Sequence, residues 1–389
     1  MSVAPHSNPH RAGASDSNRC PPPGYGDGSA RAAWLIVLFG AALWWASSAW
    51  AKPITTKALD AELGNGVNVT ALFRNQHDPD LGQLQNAFAR IHELGFQHVR
   101  IDFDDEMESD AGRRELRSVT QSAIDHGLVA ILSYCPMDEV KRSLLADANS
   151  LATAADRWRE LTRTMKDFDR QRLLFELLNE PATDDSDELD RVHRALLSAV
   201  RTQDAARVIA VMPPRYNSAR QLTQEKPIAD DAVIYSFHFY DPFEFTHQGA
   251  TWVQPAWRSL HDLPYPPSAG AIDRLLATMP QDAQAVARGY GHSKWSSSAI
   301  AAIMRAAAAW ADRNGVGIWC SEFGVFRKHA PNDSRLRWLR DVRIALNASA
   351  IPWTIWDYDS EGFGIARVEG VDRPMADSLG MGPGRSRTR

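Results

Sequence analysis

The chain has 389 residues, 44% of them hydrophobic and 23% charged, which is an ordinary globular balance. That length suffices for one large domain with a full core. A formal net charge of −5 without a basic patch gives nucleic acid no electrostatic footing.

Residues 1–30, rich in Pro, Gly, Ser and Asn, read as disordered. Arg31, the apolar run Ala32–Ala46 and the segment Ser47-Ser48-Ala49-Trp50-Ala51 then read as the charged, hydrophobic and cleavage regions of an export signal. Lys52 would be the first mature residue. The run is shorter than the ~20 residues of a comfortable membrane span. An uncleaved anchor and a true start downstream of Met1 are the alternatives, and both arise from the unusual length of the leading segment. The expected organisation is residues 1–51 as leader or anchor, 52–379 as the folded domain and 380–389 as a disordered tail. A secreted or periplasmic location follows, with no membrane contact unless the leader stays uncleaved.

From residue 64 onward short apolar runs alternate with helical patterns, the signature of repeated βα units. Strands are expected at Gly66–Thr70, His98–Asp102, Val129–Tyr134, Leu173–Leu178, Val208–Met212, Val233–Phe239, Gly317–Ser321 and Trp353–Trp356. Helical spacing of apolar residues marks Leu84–Leu94, Arg113–His126, Ala152–Phe168, Asp187–Arg201, Ser297–Arg313 and Ser334–Leu346. Asp187 and Ser334 suit helix starts, and Gly95, Gly127 and Gly315 stand just past helix ends. The span from Tyr240 to about Ser296 breaks the rhythm, and a connection of that length is normally functional. The fold class is α/β: a single (β/α)8 TIM barrel with a long loop after strand six. Cys135 and Cys320 follow opposite strands of such a barrel, so buried free thiols are expected rather than a disulfide, while Cys20 falls in the leader.

Two glutamates carry the chemistry. Glu180 in Leu-Leu-Phe-Glu-Leu-Leu-Asn-Glu-Pro and Glu322 in Val-Gly-Ile-Trp-Cys-Ser-Glu-Phe-Gly each follow a buried-strand run and precede a turn signal. Carboxylates at the C-terminal ends of barrel strands stand where (β/α)8 active sites form. A pair of them is what glycoside hydrolysis needs, although a lone strand-end Glu can equally cap the next helix.

From about residue 60 to 375 the chain resembles glycoside hydrolase family 5, the cellulase-type glycosidases. The resemblance rests on Val99-Arg100-Ile101-Asp102, Leu178-Asn179-Glu180-Pro181, Phe237-His238-Phe239-Tyr240, Ser321-Glu322-Phe323-Gly324 and Trp356, in the family's order on successive strands. The family's usual histidine after strand three is missing, and Leu132-Ser133-Tyr134-Cys135 stands there instead. The resemblance implies Glu180 as acid/base and Glu322 as nucleophile. It also implies Arg100 and Tyr240 holding Glu322 ionised, Asn179 on the sugar 2-hydroxyl, His238 beside either group, and Trp356 as a sugar platform. The nucleophile must be ionised, whereas the acid must keep a proton, so burial and the charge of Glu322 are expected to raise Glu180.

Blander roles stand beside these. Arg100 could be a rim ion pair with Asp102 or Asp104, His238 a satisfied core histidine, and Trp356 plain core. Phe243 and Phe245 read as a mini-core under the long loop, while Trp252 and Trp257 divide between packing and sugar stacking. A metal site joining His238 to Asp241 or Glu244 has no supporting ligand spacing. The expected protein is a retaining, monomeric β-glycoside hydrolase acting on a polysaccharide, without cofactor or metal, an endo-β-1,4-glucanase above all. A mannanase, a β-1,3-glucanase or a non-catalytic polysaccharide-binding barrel are the alternatives.

Overall fold

The computed structural model describes residues 63–70, 81–368 and 370–382. Eight strands alternate with helices: β1 (Asn65–Asn68), β2 (His98–Phe103), β3 (Val129–Tyr134), β4 (Leu173–Glu176), β5 (Ile209–Val211), β6 (Val233–Phe239), β7 (Gly317–Phe323) and β8 (Trp353–Ile355). Each pairs in parallel with the next, and Asn65–Val67 of β1 runs beside Trp353–Ile355 of β8 to close the barrel. The expected leader lies outside the described residues. Among those described, no helix is long and apolar enough to cross a membrane.

The strands are buried on both faces, as parallel strands under a ring of helices must be. β2 shows how a polar sequence meets that demand. Val99, Ile101 and Phe103 join the large core beneath the helices, while His98, Arg100 and Asp102 alternate onto the other face, inside the barrel. A separate apolar cluster fills the interior, with Leu63, Ile131, Leu174, Val208, Ala210, Ile234 and Trp319. His98 belongs to the same floor: its ring nitrogens contact Leu63 O at 2.9 Å and Thr354 Oγ1 at 2.7 Å.

Outside the strands stand α1 (Leu81–Glu93), α2 (Asp110–Asp125), α3 (Asp138–Ala146), α4 (Ala148–Met165), α5 (Ser186–Arg201), α6 (Gln281–Gly291), α7 (Ser297–Asn314) and α8 (Asn332–Ala348). Their starts are capped locally: Asp147, Asp185 and Ser296 accept backbone N–H groups of the first turns of α4, α5 and α7. Asp187 therefore sits in the first turn of α5 and the cap is Asp185. At the end of α7, Gly315 adopts φ 66°, the left-handed value that lets a helix stop.

Several expectations need correcting. The helix α3 was not read from the sequence; its polar face is wide and only Lys141, Leu144 and Leu145 are buried. The span after β6 is a folded excursion, with short helices, α6 and a core that includes Phe245, Leu260, Leu263, Tyr265 and Tyr290. The expected tail begins too early at Gly380. Met381 is buried with its N–H on Ala376 O, and the N–H of Gly382 reaches Leu94 O at 3.0 Å. Strand β7 runs two residues past its expected end, because the β6–β7 ladder shifts register between Phe237 and His238. That bulge sets His238 level with Glu322. Neither Cys135 nor Cys320 is in a disulfide, and Cys135 is half-buried rather than buried.

Candidate active site

Above the apolar floor the barrel holds a polar layer: Asn68, Arg100, Ser133, Glu176, Ser236 and Ser321 are each 0% exposed. Arg100 organises it. Its Nε donates to Glu176 Oε2 at 2.6 Å, and its Nη1 donates to Asn68 Oδ1 and Glu322 Oε1, both at 2.9 Å. Nη1 also lies 3.0 Å from Asp102 Oδ1. Nη2 donates to Ser133 Oγ at 2.8 Å and Asn179 Oδ1 at 2.7 Å. The two readings of Arg100 thus merge, since one guanidinium pairs with Asp102 at the barrel wall and with Glu322 at the mouth. Against the cost of burial, three carboxylates push its pKa well above the ordinary value.

Glu322 receives a second hydrogen bond from Tyr240 Oη at 2.9 Å. Burial, followed by the charge of Glu322, raises the phenol well above its usual range and keeps it a donor. His238 stands between the two glutamates, with Nδ1 2.9 Å from Glu180 Oε1 and Nε2 3.2 Å from Glu322 Oε1. One ligand atom each from Glu180, His238 and Glu322 all fall within 4.8 Å of one another. Such a set could also ligate a metal, but Arg100 and Tyr240 already occupy both oxygens of Glu322.

The ionisation of the pair departs from expectation. Burial raises Glu180, but the hydrogen bond and charge of His238 outweigh it and hold the carboxyl below its ordinary value. For Glu322 burial wins over the pull of His238 and Arg100, and the group rises to about 7. Groups this close titrate as a unit. The pair with His238 between them therefore retains a proton up to about 7.

A family model described as cellulase (glycosyl hydrolase family 5) matches residues 61–362. The chain belongs to this family. Its relatives include endoglucanase C of Acetivibrio thermocellus, 28% identical over 332 residues, covering 82% of this chain and 95% of that protein. Endoglucanase 3 of Fibrobacter succinogenes is 27% identical over 281 residues, covering 69% of this chain and 42% of that protein. A hyperthermophilic endo-β-1,4-glucanase solved in complex with substrate superposes with a TM-score of 0.68 at 22% identity, over 84% of this chain and 99% of that one.

In this glycosidase the carboxylates lie in an open cleft of about 1550 Å³. Trp356, partly exposed, lines it and hangs from β7 through its N–H on Phe323 O at 2.9 Å. A Cβ on Gly324 would lie 2.6 Å from Trp356 O, so glycine is what lets the ends of β7 and β8 approach. Trp252, 59% exposed, lines the cleft against Phe326 and Phe363. Trp257 also lines it but packs on the core. Phe245 is core as expected, whereas Phe243 is not: it lies on the cleft wall, stacked at 4.0 Å on His247.

Where the strand-three histidine is missing, Asn179 Nδ2 donates to Cys135 Sγ at 3.1 Å. Sequence reasoning also passed over Glu176, which lies inside the strand run rather than after it. Its Oε1 accepts from Ser236 Oγ at 2.8 Å. Asp357, beside Trp356, was missed too. Its Oδ1 accepts from Ser360, its Oδ2 has no hydrogen-bond partner among the described residues, and burial lifts it to about 7.

Arg100→Ala should do more than slow the enzyme. It strands three buried carboxylates and should cost about 3–5 kcal/mol of stability, read from urea midpoints. A stable variant with lost activity would mean the carboxylates find protons or water instead. Asp357 keeps its proton in the folded state up to about 7, but in the unfolded chain only to about 3.8. The folded state binds the extra proton, so stability falls as pH rises through that window. The thermal midpoint should drop between about pH 4 and 7, and Asp357→Asn should flatten the drop; an unchanged slope would refute the assignment.

Proposed function

We propose that the protein is a retaining endo-β-1,4-glucanase with Glu322 as nucleophile and Glu180 as acid/base. The observation that carries this reading is the pair of carboxylates bridged by His238, with oxygens within 4.8 Å, on the floor of an open cleft. Retention places the two carboxyl groups about 5–5.5 Å apart, whereas inversion needs roughly 6.5–9.5 Å to admit a water. The endoglucanase names of the relatives support the substrate, and an aromatic-walled cleft suits a continuing glucan chain.

Arg100 and Tyr240, each donating to one oxygen of Glu322, aim the nucleophile at the anomeric carbon. Glu180, in contact with His238 Nδ1 at 2.9 Å, protonates the departing oxygen. Once Glu322 is consumed in the glycosyl-enzyme, its charge no longer opposes Glu180. Glu180 then accepts a proton from the incoming water. Asn179, with its oxygen fixed by Arg100 and one amide N–H on Cys135 Sγ, has its second amide N–H for the sugar 2-hydroxyl. Trp356, Trp252 and Trp257 offer faces to sugar C–H surfaces. All these groups come from one chain, which suits a monomer. The leader-like residues 31–51 and a polymeric substrate favour action outside the cytoplasm.

Reducing-end release from carboxymethylcellulose, β-glucan, mannan and xylan side by side tests the substrate. Cellulose and mixed-linked glucan should lead, and dominance of mannan would replace the assignment with a mannanase. Glu322→Ala should abolish turnover, and azide should restore cleavage of an activated aryl glycoside, giving the inverted glycosyl azide. Substantial unaided activity in that variant sinks the nucleophile. For Glu180→Ala the loss on a natural glucan should be about 10²–10⁴-fold and far smaller for a dinitrophenyl leaving group. Its kcat/KM should also lose the basic limb near 7, because removing Glu180 takes away both the acid and a charge that raises Glu322. Equal losses on both substrates would rule Glu180 out as the acid.

A further inference from the structure

We propose that Met212 is a positioning residue for the acid/base, acting through the Glu180 peptide; this rests on the assignment of Glu180 above. Glu180 sits at φ 44°, a region that costs a non-glycine residue about 1–3 kcal/mol unless its surroundings hold it. The flanking peptides are pinned by oxygen acceptors. The N–H of Asn179 donates to Tyr134 O at 2.7 Å, and the N–H of Arg215 ties the following turn through Thr183 O at 3.0 Å. The N–H of Glu180 itself donates to Met212 Sδ at 3.3 Å.

Met212 follows β5 directly and is 2% exposed, so the sulfur is fixed by the barrel rather than by a loop. The side-chain amide of Asn217 is directed at the same sulfur, and Asn217 is wholly buried in a left-handed conformation of its own. A thioether is a soft and weak acceptor with a longer reach than a carbonyl. It satisfies the strained peptide while leaving it farther from β5 than an oxygen acceptor would. The carboxyl end of the same residue meets His238 Nδ1 at 2.9 Å. A change at the sulfur therefore alters how the acid is aimed, without touching sugar, nucleophile or cleft wall.

The test uses two variants and two substrates. Met212→Leu keeps the volume and removes the acceptor, a swap that cores tolerate well. Met212→Gln supplies a carbonyl oxygen instead. Each is assayed on a cello-oligosaccharide, which needs its leaving group protonated, and on a dinitrophenyl cellobioside, which does not. Leaving the half-buried N–H without its acceptor should lower kcat on the oligosaccharide roughly tenfold in the Leu variant. KM and the dinitrophenyl rate should stay within about twofold, and Gln should recover most of the loss. Equal losses on both substrates, or no loss on either, would overturn the proposal. If only one variant folds it still decides: Leu must show the selective loss and Gln must not. The Glu180→Ala comparison separates the two failures. If that variant is leaving-group selective and Met212→Leu is not, only the role of Met212 falls.

Discussion

A guanidinium sealed inside a barrel must have every N–H satisfied and its charge balanced, and that requirement organises this molecule. Arg100 is 0% exposed, and its partners come from β1, β2, β3, β4, β7 and the turn after β4. Five of the eight barrel strands are therefore registered on one side chain. Asn68 extends the constraint, because the amide that accepts from Arg100 also donates to Ser321 O on β7 and Ile355 O on β8. The same network that stabilises the barrel's upper layer aims Glu322. A buried ion cluster is a poor source of net stability but a strong determinant of one geometry.

The second constraint is electrostatic and concerns where protons rest. Two acids placed this close cannot both be charged at low cost, and His238 stands in contact with both. Its hydrogen bond and charge favour the ionised form of Glu180 over the penalty of burial, while burial raises Glu322. The simple expectation of a raised Glu180 fails for that reason.

Much of the barrel could be read in the sequence because its strands are short, continuous apolar runs bounded by turn residues. The two glutamates at the strand ends could be read for the same reason: each reads as the first ionisable residue after such a run. Glu176 and Asn68 were obscured by that very rule. They lie within the runs, and only the closed barrel shows that alternate side chains meet as a polar layer. Phe326 and Phe363 carry no signal of their own, since loop aromatics become a wall only when β7 and β8 bring them together. Met212 looked like ordinary core, and a sulfur accepting from a peptide leaves no mark in a sequence.

The bulge between β6 and β7 has a consequence for parity. Trp319 belongs to the barrel interior and Cys320 to the outer core, so strict alternation would turn Ser321 inward and Glu322 out beneath the helices. The register shift pairs Cys320 with Phe237 and then Glu322 with His238, with Ser321 as the supernumerary residue. One extra peptide unit thus decides whether this carboxylate faces substrate or hydrocarbon. The excursion after β6 can lengthen or shorten without touching that choice. The segment from Gly317 to Phe323 cannot gain or lose a single residue without reversing it.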